Sequence, residues 1–249
     1  MENKKYVEPN RWFVALKEKG VRGLRREFSD NNYYLNHGMI EMKNHDFRGI
    51  HLSRIPLELV NCEGANFAGC DLKASLLSIA CLMECDLQNA NLQHARMHAT
   101  ILMGANLKGA NLRQVSFSQN QESDLSRLNY YEKRMGPIFG HPLYGNNVRF
   151  ACFDEVDFRR AEMGDCDFRE ASFYGANFER ADAWDCDFSG CEMENTRMFR
   201  AQLEGTSFRE ANLTNADFRY ANLTGCDFTG AKIEGCRWSH ATLDRTTGL

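Results

Sequence analysis

The 249-residue chain is 43% hydrophobic with a formal net charge of −4, which argues for a folded protein and leaves the charge too small to name a partner. No apolar run reaches the ~18–20 residues of a membrane span, and Met1-Glu2-Asn3-Lys4-Lys5 lacks the apolar core of a signal peptide. Ten cysteines in that setting predict free thiols in a reducing cytoplasm, and the two Asn-x-Thr sequons at Asn212 and Asn222 read as repeat spelling rather than as glycosylation sites.

Residues 1–37 follow no repeat. Asn10 is placed to cap a short helix running to Lys19, Gly20 to end it, and Trp12, Phe13 and Leu16 give it an apolar side. From residue 38 to 121 the chain takes up a stride of five: Met42, Phe47, Leu52, Leu57, Cys62 and every fifth residue to Phe117 are apolar, sixteen positions in all. From Phe67 onward a small residue usually stands two before (Ala65, Cys70, Ser75, Ala80), and Asn or Asp often lies between, as in Asn66 and Asp71.

Residues 122–147 interrupt the pattern. Ser123 is placed to cap a helix to Met135, with Leu125, Leu128 and Tyr131 at helical spacing, followed by the loop Gly136-Pro137-Ile138-Phe139-Gly140-His141-Pro142. An insertion of this length is usually functional or disordered, and its apolar content argues for order. Its candidate contact residues are Tyr130, Tyr131, Phe139, His141 and Tyr144. The stride resumes over 148–245, shifted by one residue, with nineteen positions from Phe153 to Leu243, and residues 246–249 form a tail.

A period of five fits neither regular template. On an α-helix it advances roughly 140° per step and scatters the large residues, and on a straight strand odd spacing alternates faces. Both conflicts vanish if the chain turns a corner in every repeat, so that the small and large residues share one inward side. Phe168, Phe188, Phe208 and Phe228 recur every twenty residues, which predicts four corners per coil. Thirty-five repeats then make nearly nine coils, a rod about 40 Å long at ~4.8 Å per coil. The N-terminal helix is expected to lie as a lid on the open first coil. Leu59, Leu76, Ile79, Cys81, Met83, Ile101 and Met103 break the polar outer surface, and the 123–143 segment is expected to cover them, with the N-terminal helix the second choice.

The pattern assigns every outward residue of the second run to a face. One face carries Arg159, Arg160, Arg180, Arg197, Arg200, Arg219 and Arg237 against Asp157, Glu179 and Asp217, a net +4, with Phe199 and Tyr220 expected exposed beside them. The most acidic face carries Glu162, Asp165, Asp182, Asp185, Glu204 and Asp244 against Arg245, a net −5. Such segregation suits a basic strip for an acidic partner or an acidic rod, and the plainer alternative is a solvated surface of paired charges.

Little points to catalysis. Seven cysteines occupy the small inward position and read as packing, no CxxC pair exists, and the Asp residues follow the repeat. His94 and His98 could meet around a corner but have no third ligand, and His141 has no partner base or nucleophile. No cofactor, metal or enzymatic activity is expected.

The motif, seen as Ala-Asn-Leu at 105–107, 110–112, 211–213 and 221–223 and as Asp-Phe at 167–168, 187–188 and 227–228, resembles the pentapeptide-repeat family and its A(D/N)LXX consensus over roughly residues 38–121 and 148–245. The resemblance implies an all-β, right-handed quadrilateral β-helix, here with a helical N-terminal cap and an inserted helix and loop. Some members resemble B-form DNA in size and charge and bind type II topoisomerases such as DNA gyrase, protecting them from quinolone- or peptide-type poisons. The sequence therefore suggests first a protein-binding scaffold or adaptor presenting charged faces, and second such a DNA mimic. Direct contact with nucleic acid or membrane is not expected. The chain is expected to be a monomer, or a homodimer joined through the last coil around Trp238 and Leu243.

Overall fold

The computed structural model describes residues 11–30, 40–98, 100–117 and 148–249. Helix α1 spans Arg11–Asp30 and is broken at Gly20, whose φ of 63° and ψ of −171° no helix contains. The predicted stop is therefore real, but a second helical segment succeeds it. Trp12, Phe13, Leu16 and Leu24 are buried, and the Phe13 ring meets Phe47 of the first coil edge-on at 5.0 Å. The helix thus covers the apolar opening of the rod, as the sequence suggested.

From residue 40 the chain winds into a right-handed quadrilateral β-helix. Strands β1 (Ile40–Glu41) and β2 (Val60–Asn61) pair in parallel with Ile40 over Val60, and almost every later contact repeats that offset of twenty as an isolated parallel bridge. Each side of a coil has five positions: a small inward residue, a bridging residue, a large central residue pointing inward, and two corner residues.

The consensus follows from satisfying five backbone N–H groups per side. The central N–H donates to a bridging carbonyl one coil on (Phe47 to Asn66), and the bridging N–H to a small-position carbonyl one coil back (Asn66 to His45). The second corner N–H also reaches the next coil (Asn44 to Glu63), while the small-position N–H closes the β-turn onto the central carbonyl (Ala65 to Cys62). The fifth, at the first corner, is left for the side chain of the bridging residue. Asn61, Asn66, Asp71 and Asp86 each accept it through Oδ1, from Glu63, Ala68, Lys73 and Gln88. Asn or Asp is needed there as an acceptor of the right reach. The sequons are the same device: the Thr214 and Thr224 hydroxyls donate to Asn212 and Asn222 at 2.8 Å.

Every described second corner residue has positive φ, on glycines such as Gly225 (φ 73) and on residues such as Glu210 (φ 58) and Arg200 (φ 60). Outside glycine this conformation carries a steric cost. Gly225→Ala is expected to lower stability by about 1 kcal/mol and Gly225→Asn by less, as read from urea unfolding. Equal stability of the Ala variant would mean that the corner tolerates a Cβ freely.

The large residues stack down the interior. Phe168, Phe188, Phe208 and Phe228 lie nearly parallel, with ring centroids 4.8, 5.5 and 5.0 Å apart, and Phe158–Phe178 and Phe218–Trp238 repeat this at 4.8 Å. The two repeat runs belong to one rod: Asn106 bridges Cys152, Asn111 bridges Asp157 and Ser116 bridges Glu162, at a spacing of 46 instead of 20. The surplus is one more than a multiple of five, and this produces the one-residue shift of the stride. The expected helix and loop of the insertion, with Tyr130, Tyr131, Phe139, His141 and Tyr144, lie outside the described residues.

Candidate functional site: the charged faces of the rod

The outer apolar patch of the first run is not bare. Leu59 and Cys81 are buried, along with outward Ser78 and His98, and Leu76, Ile79, Met83, Ile101 and Met103 are half-buried. The segment expected to cover them, residues 123–143, falls outside the described residues. Exposed His94 and buried His98 form no metal site, and no group of three His, Cys, Asp or Glu side chains among the described residues is arranged to hold a metal.

The inward cysteines do more than fill space. Cys70, Cys85, Cys186, Cys191, Cys226 and Cys236 donate S–H to the carbonyl of the central residue 23 positions earlier, at 2.9–3.2 Å. Thr206 does the same to Ala183 at 2.7 Å. Burial pushes the Cys85, Cys191 and Cys226 thiols up to about 12. All ten cysteines are free. We expect these inward thiols to ignore a disulfide reagent at pH 8 in the native protein and to react once urea unfolds it. Rapid native labelling of Cys85 or Cys191 would contradict the buried assignment.

The seven arginines of the basic face separate into two groups. Arg159 grips Asp157 through Nε and Nη2 at 2.9 and 2.7 Å, and Arg219 grips Asp217 at 2.8 Å through both. Arg237 lies 3.5 Å from Asp217, and Arg197 3.9 Å from Glu179. These four are bridging or first corner residues: Arg159 and Arg219 are locked onto a carboxylate, whereas Arg197 and Arg237 touch one only loosely and stay exposed. Arg160, Arg180 and Arg200 are second corner residues, stacked one coil apart and exposed, and form no ion pair among the described residues.

The column of second corners continues into Tyr220 and His240, whose rings stack at 4.7 Å. The Arg200 guanidinium lies 5.2 Å from the Phe199 ring and 5.6 Å from that of Tyr220. Tyr220 is 47% exposed, but Phe199, expected exposed, is half-buried between Arg200 and Arg219 because both guanidinium groups turn onto its ring.

The acidic face behaves differently. Asp165, Asp182, Asp185 and Glu204 make no ion pair among the described residues, and Glu162 bridges Asp182. Burial, then the Glu162 charge, raises the Asp182 carboxyl above its ordinary value. The segregation read from the sequence is therefore physical on this side, and only a column of three on the other. At the far end, Trp238 is half-buried on Phe218 and Leu243 is 41% exposed.

A groove of about 530 Å³ crosses three coils at the other edge of the basic face, lined by Arg197, Asp217, Arg219 and Arg237 with Asn195, Thr196, Asn215 and Gly235. The sequence reading missed it, although Arg197 and Arg237 stand at bridging positions where the repeat prefers Asn or Asp.

Family models agree with this architecture: one described as pentapeptide repeat region matches residues 161–238, and one described as pentapeptide repeats, in eight copies, matches residues 80–119. The chain is a pentapeptide-repeat protein. No curated protein matches this pentapeptide-repeat chain by sequence. The chain is also similar to solved structures. A trypsin-treated variant of QnrB1, a plasmid-mediated fluoroquinolone resistance protein, is 17% identical with a TM-score of 0.59, covering 83% of this chain and 90% of its own. HetL, a pentapeptide-repeat protein involved in heterocyst differentiation regulation in the cyanobacterium Nostoc, is 18% identical with a TM-score of 0.42, covering 92% and 98%. Rfr23 from the cyanobacterium Cyanothece is 20% identical with a TM-score of 0.36, covering 67% and 89%. The QnrB1 match carries the fold and no more.

Proposed function

We propose that this pentapeptide-repeat protein is a non-enzymatic scaffold that docks an acidic protein surface on the corner column Arg160, Arg180, Arg200 and Tyr220. The carrying observation is that these three arginines stay exposed and without ion pairs among the described residues, while the other four each lie within 4 Å of a carboxylate. A stacked coil fixes their spacing in advance, so binding costs little ordering of the backbone. The Arg200–Phe199–Tyr220 cluster adds flat contact area in which a cation is already oriented. Free cysteines fit a cytoplasmic setting, which is part of this reading. The test is affinity capture from host lysate with wild type and the triple variant Arg160→Gln, Arg180→Gln, Arg200→Gln. A partner held by wild type, released by salt and absent with the triple variant supports the reading. An unchanged captured set would overturn it.

A second reading rests on the acidic face, where Asp165, Asp182, Asp185 and Glu204 stand unpaired among the described residues. That face suits a DNA mimic acting on a type II topoisomerase, and a fluoroquinolone resistance protein shares the fold. Gyrase supercoiling, titrated with the protein with and without a quinolone, tests it. Inhibition or protection that disappears when Asp165, Asp182 and Asp185 are replaced by Lys supports the mimic, and no effect in large excess excludes gyrase as the target.

A further inference from the structure

We infer that the groove around Asp217 is a binding site for a phosphate monoester. It lies on the opposite edge of the basic face from the Arg160–Arg180–Arg200 corner and does not depend on the scaffold reading. Its bridging column runs Arg197, Asp217, Arg237, one coil apart. Asp217 is buried at 3% exposure and already held by the Arg219 fork, while the Arg197 and Arg237 side chains remain 54% and 59% exposed. Among the lining residues three guanidinium groups face one carboxylate, with Glu179 at the rim 3.9 Å from Arg197. A carboxylate ligand offers two oxygens, whereas a phosphate monoester, at about −1.5 to −2 near neutral pH, offers three to the forked donors.

The repeat itself provides the stereochemistry. At the middle turn the Asp217 carboxylate accepts the Arg219 backbone N–H at 3.2 Å together with its guanidinium. In the turns below and above, Arg occupies the place of the Asx acceptor, so the N–H groups of Phe199 and Ser239 have no acceptor among the described residues. Each of those turns has a guanidinium where Asn or Asp elsewhere supplies the acceptor oxygen, and an oxyanion from outside can take up the same donors. At the edge of the groove Gly235 packs against the Asn215 amide, where a Cβ would meet Asn215 Oδ1 at 2.3 Å and push that side chain aside.

The experiment is calorimetric titration of the full chain with inorganic phosphate, phenyl phosphate and a phosphotyrosine peptide at fixed ionic strength, with benzoate as control. Phenyl phosphate is expected to bind saturably, and Arg197→Gln and Arg237→Gln each to weaken it about fivefold or more, while Arg180→Gln leaves it unchanged. Both altered side chains are exposed, so the variants should keep the wild-type unfolding midpoint. Tighter binding of the peptide by about tenfold or more assigns the phosphate to a protein side chain, and equal affinities assign it to a small phosphorylated ligand. Binding of benzoate as tight as that of phenyl phosphate, no saturable binding of any phosphate, or unchanged affinity in both groove variants would overturn the site.

Discussion

Phe188→Ala is expected to destabilise the rod by about 3–5 kcal/mol, the range for removing a fully buried Phe. Phe188 is completely buried, lies parallel to Phe168 at 4.8 Å and to Phe208 at 5.5 Å, and presents edges to Phe173 and Phe178 at 5.4 and 5.9 Å. In a solenoid each coil contacts only its neighbours, so no other part of a core can close over the hole. The rings above and below are themselves held by ladder hydrogen bonds at fixed spacing, which limits collapse. Phe188→Leu should cost less than about 1.5 kcal/mol, because the central position already accepts Leu203 and Met193 in neighbouring sides. Urea unfolding of the two variants checks both numbers. An Ala variant within about 1 kcal/mol of wild type would mean that the coils relax into the cavity, contrary to a rigid stack.

The architecture was legible because its causes are local and repeated. An inward residue every five positions and phenylalanines every twenty give side length and coil length directly, and Phe168 over Phe188 over Phe208 is that arithmetic realised. The position of Asn and Asp was visible, but their role was not. That Asn66 Oδ1 holds the Ala68 N–H appears only when all five N–H groups of a side are traced. The shift of frame between the two runs was visible too, and its meaning, one rod continued from Asn106 to Cys152, required the ladder.

For the candidate site the sequence assigned residues to faces but not to ion pairs. Arg219 and Arg200 lie on the same face, yet the first is bound to Asp217 and the second is not. The difference is the corner position: a first corner guanidinium folds back onto the bridging carboxylate of its own side, as in Arg159–Asp157 and Arg169–Asp167, while a second corner residue points away. That rule is readable from sequence once the turn is known. The groove follows from the exceptions to the consensus, Arg197 and Arg237, which a search for the repeat passes over as noise.

Asp217→Asn tests how much those charges contribute. Asn keeps the Oδ1 acceptor for the Arg219 N–H, so the turn should survive, and only the charge is lost. The Arg219 hydrogen bonds, and then the nearby Arg237 charge, hold the Asp217 carboxyl below its ordinary value. A carboxyl lowered in the folded state stabilises the fold above its unfolded value of ~3.9 and loses that contribution as the pH falls through the lowered one. Wild type should therefore be more stable than Asp217→Asn at pH 7 by about 1–2 kcal/mol, a range set by one charged hydrogen-bond pair whose arginines are partly exposed to solvent. The two unfolding curves should converge as the pH is taken from about 4 toward 2. Asp46, held by Arg48 down to about 2, and Asp167 and Asp227, also lowered, should make the whole rod weaken over the same range. The variant separates structure from binding, because a groove relieved of its own carboxylate should hold phenyl phosphate more tightly while the fold becomes less stable. Equal stability at pH 7 would show that the arginines around Asp217 stabilise nothing, and a weaker phosphate affinity would show that Asp217 shapes the groove rather than competing for it.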